Sequence, residues 1–96
     1  MDNKQLERHL ASIGKGCFIK YFEYFKNFNY THQELVELLH RNEGYEKSAC
    51  ATRISNSRSI INEGKTKDAL NLIIESTRLD KITILNAKRI LRNLSQ

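Results

Sequence analysis

The residues with the most chemistry to offer lie between Tyr45 and Glu63, in the stretch YEKSACATRISNSRSIINE. Advanced by about 100° per residue, Lys47, Ser48, Thr52, Ser55, Asn56, Arg58, Ser59 and Asn62 fall on one broad side of a helix. Cys50, Ile54, Ser57 and Ile61 fall on the other, with Ala49 and Ile60 at its margin. Between Lys47 and Asn62 the charged residues are Lys47, Arg53 and Arg58, with no acid among them. A merely solvated helix face interleaves Glu and Lys at i,i+4 spacing. This one combines cations with short hydroxyl and amide side chains. Ser, Thr and Asn compete with the backbone for hydrogen-bond partners, so a helix built from them depends on packing. The chemistry such a surface offers is hydrogen bonding to phosphate oxygens and base edges.

Other chemistries fare worse. Gly64-Lys65-Thr66 has the ending of a phosphate-binding loop, but that loop needs a glycine where Ser59 stands, and a strand before it. A helix-ending glycine followed by an N-cap threonine is the simpler reading. His9, His32, His40, Cys17 and Cys50 include no pair at i,i+3 or i,i+4, so no metal site is expected. There is no G-x-S-x-G elbow and no other acid–base constellation. The chain is read as a non-enzyme without cofactor or metal.

The overall balance points the same way. With 96 residues, one domain spanning 1–96 is expected, and 40% hydrophobic with 28% charged residues suits a globular protein. So small a core would gain from dimerisation, and a homodimer is one expectation. The formal net charge of +5 favours anionic partners: nucleic acid, an acidic protein surface or lipid. Cys17 and Cys50, far apart and outside any C-x-x-C, read as reduced thiols of a cytoplasmic protein. The polar start MDNKQLERHL has no apolar signal core, and no run is long enough to cross a bilayer, so no membrane partner is expected.

Proline is absent and the glycines fall between apolar-periodic segments, which predicts short helices joined by tight turns. The expected fold is all-α, a compact bundle of five to six helices. The first runs from about Asn3 to Ile13 on a Leu6, Leu10, Ile13 stripe and stops at Gly14. The second, about Cys17 to Asn27, carries Phe18, Phe22 and Phe25 on one face, with Tyr21 and Phe28 beside them. Seven of the eight aromatics lie between Phe18 and Tyr30; helical spacing makes them core rather than a base-stacking platform. Tyr24 and Tyr30 are expected nearest the surface.

The third helix opens with a Thr31–Glu34 capping box, buries Leu35, Leu38 and Leu39, and ends near His40 and Arg41 before a turn through Gly44. The fourth is the Tyr45–Glu63 stretch, with a weak point near Ser55-Asn56-Ser57. The fifth starts at Thr66 and runs to about Ser76. The sixth follows an Asp80 cap and sets Ile84, Ala87, Leu91 and Leu94 on one side, with Lys81, Lys88, Arg89 and Arg92 around it.

The segment Gln33-Glu34-Leu35-Val36-Glu37-Leu38-Leu39, followed by Ser48 to Ile61, resembles the helix-turn-helix DNA-binding proteins over about Thr31 to Asn62. In that family the second helix enters the major groove. The resemblance implies a transcriptional regulator in which Lys47, Ser48, Thr52 and Arg53 face bases, and Ser55, Asn56, Arg58 and Ser59 continue the contact. Lys65, Lys67 and the Lys88-Arg89-Arg92 group would neutralise phosphates. Two departures stand out: the connection from His40 to Glu46 is long for the motif, and Val36 and Glu37 occupy the place of its usual small residue. Arg53 also leans toward the apolar side, where it would brace the fold. The alternative is a helical protein-interaction module, an inhibitor or adaptor docking on an acidic partner. An exposed apolar patch beside the fourth or sixth helix would speak for it. A basic, amphipathic sixth helix without aromatic anchors makes a weaker case for peripheral membrane binding.

Overall fold

A computed structural model describes residues 1–94. Its elements are α1 (Asn3–Ile13), α2 (Lys15–Lys20), α3 (Phe22–Lys26), α4 (His32–Glu43), α5 (Lys47–Asn62), α6 (Thr66–Ile74) and α7 (Lys81–Leu94), with no strand among the described residues. The fold is all-α, and the helices share one buried cluster.

The extra helix comes from a break in the aromatic segment. Tyr21 leaves helical geometry, at φ −109° and ψ 14°. Its ring is buried and its hydroxyl donates to the Glu43 carboxylate at the end of α4. Lys20 reaches the same carboxylate at 2.7 Å. A continuous helix would point residue 21 along one fixed direction; the break lets Tyr21 meet α4 while Phe18, Phe22 and Phe25 stay together. Phe18 and Phe22 pack edge to face at 5.6 Å, and Phe18 and Phe25 stack at 6.4 Å. Phe28, expected beside them, is 53% exposed, more than Tyr24 or Tyr30. It lies past the end of α3, where helical spacing no longer holds.

Local signals set several of the helix ends. Asp2 and Gln5 form a capping box at α1, and Thr31 and Glu34 form one at α4. The Asp80 carboxylate accepts the Thr83 N–H at 2.7 Å. At the start of α6, Lys65 rather than Thr66 takes the cap position, and no side chain caps it. Helix α4 continues to Glu43, past the His40–Arg41 end expected from sequence, and Gly44 closes it in the left-handed conformation at φ 74°. Only Gly44, Tyr45 and Glu46 therefore connect α4 to α5, a shorter link than the sequence suggests.

Helix α5 is unbroken through Ser55-Asn56-Ser57. It packs chiefly against α1 and α4 and also meets α3 and α6, whereas α7 lies on α6 and α2. Cys50, Ile54, Ser57 and Ile60 form the buried face of α5; Ile60 takes the place expected of Ile61, which is half-buried. In α7 the buried residues are Ala87 and Ile90, while Leu94, expected inside, is 36% exposed. No helix is long and apolar enough to cross a membrane among the described residues.

Candidate nucleic-acid interface

Three candidates share an exposed stripe along the first turns of α5: Ser48, Thr52 and Ser55. Asn62 is exposed at the far end, and Asn56 and Ser59 are half-buried at the flank. Thr52 donates its hydroxyl proton to the Ser48 carbonyl at 3.2 Å, which leaves its oxygen open as an acceptor. The side chains are short, so the helix backbone lies close beneath this surface.

The cations of α5 go elsewhere. Arg53 and Arg58 were expected among the contact residues, and the fold turns both guanidinium groups toward itself. Arg53 donates through Nη1 to the carbonyl of Ile13, the last residue of α1, and lies 4.0 Å over the Tyr45 ring. Its Nε is buried without a hydrogen-bond partner among the described residues. Arg58 donates to three carbonyls, those of Phe25 (3.3 Å), Asn27 (3.1 Å) and Tyr30 (2.8 Å), and covers the Phe28 ring at 4.8 Å. The reason is common to both. Helices end with unpaired carbonyls, and a long planar cation satisfies several at once while favouring the negative end of the helix dipole. Arg53 closes α1 in this way, and Arg58 ties down the segment after α3.

Lys47 is exposed at the head of α5 but pairs with Glu37 at 3.0 Å. This partner holds the Glu37 carboxyl below its ordinary value. Lys65 lies 3.8 Å from Asp68, and Lys67 is exposed with no ion pair among the described residues. The ten candidates thus divide. Ser48, Thr52 and Ser55 face outward, Asn56 and Ser59 lie half-buried at the flank, the two arginines face inward, and the lysines lie beyond the two ends of the stripe.

Sequence reasoning missed two features. Tyr45 serves as the platform for Arg53, which no periodicity signals, because the residue sits in a turn. Ile82 and Leu85 on α7 are 72% and 62% exposed. Their signal was available: both fall off the Ile84–Ala87–Leu91 stripe, among the cations.

Around Cys17, a cleft of about 480 Å³ opens between α2, the α4–α5 turn and α7. Its polar rim includes Lys20, Glu23, Glu43, Asn86 and Arg89. Burial pushes the Cys17 thiol up to about 11, against the opposing pull of Arg53. The thiol is therefore protonated near neutral pH and a poor nucleophile. Among the described residues no group of three or more His, Cys, Asp or Glu could hold a metal ion. In comparisons with known proteins, the chain matches no family model, no curated protein and no solved structure.

Proposed function

We propose that this protein binds duplex DNA through the α4–α5 pair, with the outer stripe of α5 against base edges, as a transcriptional regulator would. The observation that carries the reading is the stripe itself. Ser48, Thr52 and Ser55 are exposed hydrogen-bonding groups on consecutive turns, without an acid, at the N-terminal half of a helix fixed on several sides. Hydroxyl side chains donate to or accept from any base edge, and their small size permits close approach. The Gly44-Tyr45-Glu46 connection has the length of a helix-turn-helix link. Arg53 and Arg58 leave the list of contacts and become the braces that hold α5 at a set angle to α1 and α3. Lys67, which is exposed, and Lys47, once released from Glu37, supply phosphate contacts. Both cysteines are free, which goes with action in a reducing, cytoplasmic setting.

The test is fluorescence anisotropy on duplex oligonucleotides, including a selected pool, across a salt series. Binding is expected to weaken with salt by about one counterion per phosphate contact. Thr52→Glu and Ser55→Glu place a negative charge on the stripe and are expected to abolish binding while leaving the melting temperature unchanged. Unchanged affinity in both variants, or no binding at low salt, would refute the proposal.

A further inference from the structure

The outward face of α7 carries the Lys88-Arg89-Arg92 group, expected from sequence to neutralise phosphates, but it also exposes an apolar pair that DNA binding through α5 does not use. Lys81, Lys88, Arg89 and Arg92 are exposed, and none has an ion pair or hydrogen bond among the described residues. No acid occurs between Lys81 and Leu94. Leu85 lies at the centre of these cations, and Ile82 lies one turn earlier. They are the two most exposed large aliphatic residues of the protein. Ala87 and Ile90 dock α7 on the fold; Leu85 faces away from both, and Ile82 lies at the edge of the cleft that Ile90 also lines, so neither exposed side chain is needed to hold the helix in place. Two depressions border the apolar pair. One is the 480 Å³ cleft that Ile82, Asn86 and Arg89 help to line, and the other is a shallower hollow of about 240 Å³ formed by Lys81, Ile84, Leu85 and Lys88.

We infer that this face docks an acidic amphipathic helix of another protein, with Leu85 and Ile82 as the apolar anchors and the cations as its rim. Charge decides among the occupants. A second copy would set the four cations of one α7 against the four of its partner, which costs free energy at every pair. A lipid surface would have only two aliphatic anchors and no aromatic one on this helix. Nucleic acid has phosphates for the cations but offers little to two aliphatic side chains. A helix with leucines at i,i+3 or i,i+4 and glutamates beside them satisfies both parts of the face at once. Its acids belong on the Lys81, Lys88 and Arg92 side. The cleft side already holds two carboxylates, Glu23 paired with Lys26 and Glu43 tied to Lys20 and Tyr21.

The experiment uses the full chain and three probes. The first is a synthetic helical peptide with one leucine face flanked by glutamates. The second is a peptide of identical composition with the leucines scattered around the helix. The third is a set of phosphatidylserine-rich vesicles. Titration by isothermal calorimetry is expected to show micromolar binding of the first peptide. The scattered peptide should bind at least about tenfold more weakly, and Leu85→Asp should weaken the first peptide by a similar factor. Leu85→Asp folds, because the side chain is already in water, and a thermal melt verifies this. Equal binding of the two peptides, binding unaffected by Leu85→Asp, or capture by vesicles in place of the patterned peptide would each overturn the inference. Duplex DNA binding is expected to survive Leu85→Asp, so failure here and failure of the α5 reading remain distinguishable.

Discussion

Helices α5 and α7 each combine an apolar edge with several cations and no acidic residue, yet the fold spends their charge in opposite directions. In α5, Arg53 and Arg58 reach backward to the carbonyls that end α1 and follow α3. In α7, Lys81, Lys88, Arg89 and Arg92 are exposed and have no ion pair among the described residues. The cause is position. Helix α5 is surrounded by α1, α3, α4 and α6, so a long side chain leaving its flank arrives at a neighbour's unpaired carbonyls. Helix α7 packs only its inner side, on α6 and α2, and none of its cations bonds a neighbour's carbonyl among the described residues. A count of cations on a helix therefore does not reveal how many are available to a partner. Short side chains behave differently: Ser48, Thr52 and Ser55 cannot reach a neighbour and stay on the surface where the helix puts them.

This contrast can be broken by substitution, and the largest effect belongs to the inner face of α5. Ile54 is fully buried. Ile54→Ala is expected to lower stability by about 2–5 kcal/mol in chemical denaturation, as cavity-forming changes do. Leu85→Ala on α7 is expected to stay within about 0.5 kcal/mol. Equal losses at the two sites would mean that α7 is as central as α5.

Next comes the bracing role of the arginines. Arg58→Ala removes donors from three carbonyls and cover from Phe28, and is expected to cost about 1–3 kcal/mol. Arg89→Ala should cost nothing measurable in the same denaturation assay. A stable Arg58→Ala variant that loses only DNA affinity would restore Arg58 to the contact surface.

A change of opposite sign is expected at Ser57. Its hydroxyl is buried on the inner face of α5 without a hydrogen-bond partner among the described residues. Ser57→Ala should raise stability by up to about 1 kcal/mol, because an unsatisfied polar group leaves the core at almost no loss of volume. A loss of melting temperature would show that the hydroxyl has a bonding role in solution.

The smallest effect concerns pH. Hydrogen bonds from Lys20 and Tyr21 hold the Glu43 carboxyl below its ordinary value. A carboxylate depressed by folding contributes stability that is present above its unfolded pKa, about 4.3, and is lost as pH falls through the lower folded value. Urea midpoints followed from pH 6 down to pH 3 should therefore decline less steeply in Glu43→Gln than in the parent protein. The same decline in both would remove Glu43 as a contributor.

Much of this protein was legible in its sequence because the signals are local. The Thr31–Glu34 capping box, the Asp80 cap, the closing glycines and the Leu6–Leu10–Ile13 stripe are each decided within a few residues, by backbone hydrogen bonding and helical period. The aromatic core was legible too, since Phe18, Phe22 and Phe25 are too large to leave in water together. The break at Tyr21 was not, because the partner its hydroxyl meets there, Glu43, is on a helix that packs beside it only after folding. The fates of Arg53 and Arg58 were hidden for the same reason. An arginine's reach is comparable to the distance between packed helices, so its partner is chosen by what the tertiary structure sets nearby. The sequence by itself determined which segments are helical and which faces are apolar. Tertiary structure alone decided which cations became internal braces and which stayed on the surface, because helix-end carbonyls draw a cation only where packing brings the two together.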